Sequence, residues 1–206
     1  MDSEWFAHML SQPDVRSHSA AAIFLASQGA DGYCHVEATL ERCKQLDLSN
    51  SEFDKCEEVL LLSGTRAIAQ IIRAVGFDDT LQLHRDVFAW IDGLVRCQTA
   101  KIRGTGIWGL GDLGVPPDCV PERLVELTTG DRLPDDFANI SCRGMAFRML
   151  ARIDRDLASR YVDTQACNEY LAAAKGWRAE LISKNPDNKD RLAEFDAESA
   201  WLQRGV

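Results

Sequence analysis

Hydrophobic residues recur along the chain at intervals of three and four positions, the spacing of an amphipathic helix. No stretch sustains the apolar–polar alternation that is typical of a half-buried β-strand. The clearest apolar stripe consists of Tyr33, Val36, Leu40 and Cys43. The pattern predicts an all-α protein. The predicted helices span about residues 3–10, 13–29, 33–43, 52–75, 80–94, 99–113, 118–127, 137–153, 164–183 and 186–203.

Capping signals predict where the longest central helix begins. Ser49 stands three residues before Glu52, the spacing of a capping box. Ser51 stands three residues before Asp54 in the same way. Both pairs would open the helix that follows. A single continuous helix and one that breaks near residues 63–64 both fit its pattern.

Two further expectations concern burial and helix ends. The run from Ala20 to Ala26 is apolar on every side, so we expect its helix to be buried on several faces. Gly76 is expected to end the central helix, since glycine is favoured just past a helix C-terminus. Asp79 or Thr80 is then placed to cap the next helix.

Four segments of the chain share an arginine at the start of an apolar helix. These arginines are Arg16, Arg66, Arg103 and Arg143, separated by 50, 37 and 40 residues. Each of the first three segments is followed by a turn with glycine or proline and then by a second amphipathic helix. The spacing therefore predicts a repeated helical hairpin, and a single hairpin needs neighbours to bury its apolar stripe.

The best-defined repeat runs from Ile102 to Gly114 and resembles the HEAT-repeat family, in its short, phycobilisome-lyase-like variety. The resemblance continues through Pro116, Val120, Leu124 and Leu127. It implies an α–α superhelix, an α-solenoid of about four helical hairpins, in one domain over residues 1–206. The implied repeats cover about 12–46, 64–96, 99–129 and 137–162, with C-terminal capping helices over 164–203. Gly104, Gly106, Gly109 and Gly111 would let neighbouring helices approach closely.

The charge of the chain narrows the choice of partner. The formal net charge is −9, and residues 1–98 hold 15 acids against 8 bases. This balance disfavours nucleic acid, whose phosphates need clustered Lys and Arg, and suits a basic protein. The densest acidic patch comprises Asp47, Glu52, Asp54, Glu57 and Glu58, with only Lys55 opposing it. The patch is a candidate partner-binding site, and a solvated helix face is the alternative. Trp108 is the candidate aromatic anchor.

Residue patterns that carry catalysis or bind metals are not found in the sequence. The four histidines are scattered, and none forms a helical pair with His or Glu that could hold a metal. We therefore expect no metal, no cofactor and no catalytic residue. The seven cysteines contain no Cys-x-x-Cys pair and predict reduced, mostly buried thiols. The acidic start and the lack of a long apolar run predict a cytoplasmic protein without membrane contact.

These observations leave three functional hypotheses. The leading one is a non-enzymatic protein–protein interaction module that binds a basic partner. It would be an adaptor or an inhibitor, for example an immunity protein against a toxin or effector. An enzyme on a HEAT-like scaffold, bilin-lyase-like or DNA-glycosylase-like, is the second hypothesis. A self-assembling structural subunit is the third.

Overall fold

The computed structural model describes residues 3–49, 53–114, 120–130, 136–137, 140–184, 192–193, 196–197 and 200. Its α-helices are α1 Ser3–Ser11, α2 Val15–Leu25, α3 Val36–Lys44, α4 Lys55–Val59, α5 Thr65–Val75, α6 Gln82–Val95, α7 Ala100–Leu113, α8 Val120–Thr129, α9 Cys142–Ile153, α10 Arg155–Ala158 and α11 Gln165–Lys184. Short 3-10 helices span Gly29–His35 and Ser159–Tyr161. The prediction of an all-α protein is confirmed, apart from one antiparallel pair of two-residue strands, β1 Asp136–Phe137 and β2 Ile140–Ser141.

The chain divides into two compact units, Met1–Val120 and Pro121–Val206, which we call unit 1 and unit 2. Among the described residues, no helix is both long enough and apolar enough to cross a membrane.

Unit 1 contains a layer of helices that run side by side in the same direction. Glu58 of α4 pairs with Lys101 near the start of α7. About two turns further along the first segment and three turns further along α7, Arg66 of α5 pairs with Asp112 near the end of α7. Because the contacts follow the same order along both segments, residues 55–75 lie parallel to α7.

Helix α2 also packs along residues 55–75 and runs in the same direction. It packs on α4 and, at Ala22, on Gly64. The 3-10 helix after α2 packs on α5, where Gly32 meets Ile71. The parallel layer therefore consists of α2, residues 55–75 and α7.

Helices α6 and α7 form an antiparallel hairpin whose contact is closest at two glycines. Gly106 faces Leu94 and Val95, and Gly109 faces Ile91. A Cβ atom added to Gly106 would lie 2.6 Å from the backbone nitrogen of Val95. The prediction that glycines in this helix allow close approach is confirmed at these two positions. Packing on both sides makes α7 the most buried helix of unit 1, with eleven of its fourteen residues buried.

The central helical stretch is continuous from Lys55 to Val75, but its middle turn is wider than an α-helix. Residues Leu60–Gly64 form a π-helical turn between α4 and α5. Gly64 lies inside this turn, where an added Cβ would come within 2.8 Å of the Cys43 sulfur. The helix thus neither breaks near 63–64 nor continues as a regular α-helix; it absorbs an extra residue there.

The predicted start of this stretch is wrong. Asp54 is the N-cap, and its Oδ1 accepts hydrogen bonds from the backbone nitrogens of Cys56 and Glu57 at 2.7 and 2.9 Å. The Glu57 carboxylate accepts in return from the backbone nitrogen of Asp54 at 2.9 Å. The capping box therefore begins at Asp54, because this aspartate has a glutamate three residues later. Glu52 lies outside the described residues.

Other boundaries also differ from expectation. Helix α2 ends at Leu25, four residues before Gly29, which begins the 3-10 helix instead. Helix α6 has Leu81 as its N-cap, so neither Asp79 nor Thr80 caps it. Helix α9 starts at Cys142 instead of residue 137, because Ser141 caps it by accepting a hydrogen bond from the Gly144 nitrogen at 2.9 Å.

The expectation that the helix of residues 20–26 is buried on several faces is confirmed, because α2 packs on α1, α4 and α5. One position of the run is nevertheless open to solvent. Ala21, Ala22 and Leu25 are fully buried, but Ile23 is 57% exposed. The neighbouring residue Phe24 is covered by α1, where Trp5 meets it edge to face at 5.4 Å. An apolar run thus specifies the helix without ensuring a neighbour on every side.

Unit 2 is organised around α9 and α11, which also run in the same direction. Glu169 near the start of α11 accepts hydrogen bonds from Ser141 and Arg143. Further along, the Arg148 guanidinium lies 5.0 Å from the centroid of the Trp177 ring. Burial alone would raise the pKa of the Glu169 carboxyl, but the bonds from Arg143 and Ser141 outweigh it and lower that pKa. The predicted helix over 164–183 is confirmed, and the one over 186–203 lies largely outside the described residues.

Candidate protein-binding surface

The predicted acidic patch is only partly a free surface. Asp47 follows α3 and is exposed, and its carboxylate accepts from the Ser49 hydroxyl at 2.6 Å and the Ser49 backbone nitrogen at 3.0 Å. These two hydrogen bonds lower the pKa of Asp47, so its charge persists to more acidic pH than usual. Asp47 therefore stabilises a local turn and still presents a charge to solvent.

Asp54 and Glu57 occupy positions that helix formation itself favours. Both belong to the capping box, where they satisfy backbone N–H groups that have no partner within the helix. Negative charge in the first turn also interacts favourably with the helix dipole. Their presence is thus explained by folding, although Asp54 remains exposed.

Glu58 is partly neutralised by a lysine from the next parallel helix. Its carboxylate lies 3.0 Å from Nζ of Lys101, and both side chains are about half exposed. Sequence spacing indicated only Lys55 as an opposing charge, because Lys101 is 43 positions away and reaches the patch through the fold. An exposed pair of this kind adds on the order of 0.5 kcal/mol to stability.

Four side chains of α5 and α7 form a polar contact that we call the Arg66 cluster: Arg66, Gln70, Trp108 and Asp112. Arg66 Nε and Gln70 Nε2 donate to the same carboxylate oxygen of Asp112, at 2.9 and 3.1 Å. The Arg66 guanidinium also lies 4.8 Å from the centroid of the Trp108 ring. The cluster thus joins two parallel helices by ion pairing, hydrogen bonding and cation–π stacking.

Burial within the Arg66 cluster increases from Arg66 to Asp112. The Arg66 side chain is 38% exposed, whereas that of Asp112 is 4% exposed. Trp108 is half-buried, so its ring reaches the surface beside the guanidinium. Arg66 and Trp108 thus form an aromatic and cationic surface, and the buried carboxylate of Asp112 fixes its geometry.

Sequence reasoning identified Trp108 but missed the residues that orient it. Arg66 was recognised as a repeat position only, and Gln70 and Asp112 were not singled out. A signal was available, since Asp112 is a lone charge in the most apolar part of its helix and so needs a partner. Arg66 and Gln70 share a helix face by their four-residue spacing. Neither signal identifies which helices meet.

The thiols of the described residues are poor nucleophiles where they are buried. Burial raises the pKa of Cys43 to about 12. It likewise raises the pKa of Cys167 to about 11. Both therefore remain protonated and unreactive at neutral pH. Cys142 is also buried, Cys34 is exposed, and Cys119 lies outside the described residues. In the part of the chain that the structure describes, no group of three or more His, Cys, Asp or Glu could hold a metal ion.

His84 joins two turns of unit 1 through both ring nitrogens. Its Nδ1 accepts from the Asp78 backbone nitrogen at 2.9 Å, so Nε2 carries the proton and donates to the Tyr33 hydroxyl at 3.0 Å. The side chain is buried, and burial lowers its pKa, although the nearby Asp78 carboxylate partly opposes this. The neutral imidazole is therefore the form that fits this site.

We expect the stability of the protein to fall as pH decreases below about 6.5, the ordinary pKa of histidine in an unfolded chain. The folded state holds His84 neutral, so the unfolded state binds more protons between the lowered pKa and 6.5. Stability contributed by His84 is complete above this window and is lost as pH falls through it. Urea unfolding across this range measures the loss.

His84→Gln should reduce this pH dependence, and His8→Gln is the matched control because His8 is exposed. Some dependence should persist in His84→Gln, since burial also lowers the pKa of His35. Identical slopes for the wild type and His84→Gln would contradict the assignment.

Comparison with known proteins gives no match, whether to family models, to curated proteins or to solved structures. The likeness to HEAT repeats therefore stays a prediction from the residues.

Proposed function

We propose that this chain is a non-enzymatic protein-binding module that holds a basic partner on unit 1, across the face from Asp54 and Glu58 to Trp108. The observation that carries the proposal is the Arg66 cluster. A half-exposed tryptophan is fixed there by a stacked arginine, which a buried aspartate holds in turn. Trp and Arg are the residue types most enriched at interface hot spots, and side chains already fixed lose little entropy on binding.

The charge of unit 1 supports a basic partner. Residues Met1–Val120 carry 17 acids and 10 bases, so unit 1 accounts for −7 of the net charge. A field of this sign attracts a basic protein and raises its association rate, and tight binding then depends on a few anchors such as Trp108. An adaptor or an inhibitor, including an immunity protein, fits this division of roles.

We further propose that the chain builds an α-solenoid of about four hairpins in the manner of HEAT repeats. Support comes from the parallel layer of unit 1 and from its antiparallel α6–α7 hairpin. A second support is a shared linkage between neighbouring helices. Arg66 in the first turn of α5 bonds Asp112 on α7, and Arg143 in the first turn of α9 bonds Glu169 on α11. Two of the four aligned arginines therefore have equivalent roles within their own units.

Replacing Trp108 by alanine is expected to weaken partner binding roughly thirtyfold, the effect of losing about 2 kcal/mol at a hot spot. Glu58→Lys should also weaken it by placing a like charge against a basic partner. The measurement is a pull-down from an extract of the native cell, followed by titration of the recovered partner against each variant.

Glu41→Lys is the matched control, because Glu41 is an exposed acid of the same unit that lies on α3 and pairs with Lys44 at 2.8 Å. It changes the net charge of the chain as Glu58→Lys does, away from the proposed face. Circular dichroism verifies that Trp108→Ala keeps its helices. A partner held equally by Trp108→Ala and the wild type would refute this face as the binding site.

A further inference from the structure

Leu81 is an unfavourable residue for its position in two ways. It is the N-cap of α6, with φ −83° and ψ 125°, and it makes no side-chain hydrogen bond to the first turn. Ser, Thr, Asp and Asn are the residues favoured there, because their side chains accept from the first-turn N–H groups. Leu81 is also 44% exposed, so a large part of its apolar side chain is in contact with water. The position thus departs from a local sequence preference and leaves apolar surface open, a combination found at functional sites.

A second exposed apolar residue lies in the same connection. Val75, the last residue of α5, is 42% exposed. Gly76 follows with φ +89°, which ends the helix, and the chain reaches Leu81 five residues later. Among the described residues, the exposed large hydrophobic side chains are Ile23, Val75, Leu81 and Ile182. Two of these four thus belong to residues 75–81, which we call the α5–α6 turn.

Negative charge surrounds the α5–α6 turn. Asp78 and Asp79 lie within it and are exposed, and Asp31 lies in the 3-10 helix that Tyr33 and His84 tie to the turn. The carboxyl end of α5 adds the negative end of a helix dipole. Asp78 also has a local folding role, because its carboxylate accepts hydrogen bonds from the Thr80 backbone nitrogen at 2.9 Å and from the Thr80 hydroxyl at 2.7 Å. Like Asp47, it still presents its charge to solvent, and Asp79 beside it is exposed as well.

The net charge near the α5–α6 turn is negative when the neighbouring charged groups are included. Arg85 donates to the Asp79 carbonyl oxygen and to Gln82, and Gln82 donates to Asp86. Residues 29–35 and 75–86 together hold four acids, Asp31, Asp78, Asp79 and Asp86, against one base, Arg85. The side chain of Arg73 lies over Gly114.

We propose that the α5–α6 turn is a docking surface for a basic, amphipathic segment of a partner protein. Apolar side chains of that segment cover Val75 and Leu81, and its Lys or Arg side chains face Asp78, Asp79 and Asp31. The bonds of His84 to Tyr33 and Asp78 hold the turn in place before binding. The inference rests on the proposed function, because it names a second contact for the same class of partner.

The test uses the full chain and a synthetic peptide with lysines on one face of a helix and leucines on the other, followed by fluorescence anisotropy. Leu81→Ser should raise the Kd roughly fivefold, as expected from losing the burial of the exposed part of a leucine side chain. Because serine is a favoured N-cap, the same substitution should keep or raise the Tm, so loss of folding cannot explain weaker binding. Asp79→Lys should also raise the Kd.

Two controls test whether the peptide binds at the α5–α6 turn. Glu41→Lys changes the charge of unit 1 away from the turn and should leave the Kd within about twofold. A peptide of the same composition with scrambled order should bind at least tenfold more weakly than the amphipathic one.

Each remaining outcome counts against the inference in a distinguishable way. Equal Kd values for Leu81→Ser and the wild type, or no peptide binding at all, overturn the docking surface. A Kd raised by Trp108→Ala alone overturns it and leaves the proposed function standing. If Leu81→Ser instead dissociates a dimer in sedimentation experiments, the occupant is a second copy of this chain and the inference is wrong.

Discussion

Replacing Gly106 with alanine is expected to lower the free energy of unfolding by about 3 kcal/mol, the upper part of the range for overpacked cores. The new Cβ would lie 2.6 Å from the backbone nitrogen of Val95 and 2.9 Å from Cβ of Leu94. Backbone atoms cannot rotate away as a flexible side chain can, so α6 and α7 must move apart. That movement disturbs α7, which is the most buried helix of unit 1.

Gly93→Ala is the matched control for this prediction. Gly93 also lies in α6, and an added Cβ would meet nothing within 4 Å. Alanine is favoured over glycine in a helix by up to about 1 kcal/mol, so Gly93→Ala should leave stability unchanged or raise it. Urea unfolding should show that Gly106→Ala lowers the free energy of unfolding and that Gly93→Ala leaves it unchanged or raises it. A Gly106→Ala variant as stable as the wild type would mean that the two helices approach less closely.

The glycines of α7 illustrate how much of the fold the sequence could predict. A helix with glycine at positions 104, 106, 109 and 111 is intrinsically weak, so close packing had to hold it. That reasoning needs only local spacing, and the structure confirms it at Gly106 and Gly109. The same spacing predicted the buried positions Val36, Leu40 and Cys43.

Predictions were wrong where two local signals competed. The capping box was assigned to Ser49 and Ser51, although Asp54 has the same spacing to Glu57 and prevails in the structure. At Leu60–Gly64 the local pattern allowed a regular helix or a break near 63–64, and the structure shows neither but a π-helical turn. Leu81 was missed as an N-cap because leucine is a poor residue for that role.

The candidate site was predicted less completely than the fold. Trp108 and Glu58 could be selected by residue type and spacing, but Arg66, Asp112 and Lys101 act through pairs separated by more than 40 positions. Such pairs follow from the parallel arrangement of residues 55–75 and α7, which no local pattern specifies. Counting charges along the sequence therefore overestimated the negative charge that the acidic patch leaves unpaired. It gave no indication that the Arg66 cluster exists.

Replacing Arg66 with methionine is expected to destabilise the protein by about 3 kcal/mol, the effect of breaking a buried ion pair from its exposed side. Methionine keeps an apolar stem beside Trp108, but it removes the positive charge that Arg66 places next to Asp112. The Asp112 side chain is only 4% exposed, so water cannot replace that charge. Urea unfolding of Arg66→Met against the wild type measures the cost.

Removing the other partner should cost less. In Asp112→Asn the shape is kept, and Arg66 is 38% exposed and can be hydrated, so we expect a loss of about 1 kcal/mol. The asymmetry between the two variants is the part of the prediction that distinguishes a buried carboxylate from an ordinary surface pair. Equal and small losses for both variants would place the pair in the weak, solvent-screened class.

The double variant separates charge from packing. If Arg66→Met is costly because it leaves a buried charge, neutralising that charge with Asp112→Asn in the same chain should recover at least about 1 kcal/mol of stability. If the cost comes instead from lost contacts with Trp108, the two losses should add. Recovery would establish that Asp112 holds Arg66, and through it the Trp108 ring, by electrostatics. The same double variant should then weaken partner binding even though its stability is partly restored, because Trp108 loses the stacked guanidinium that fixes it.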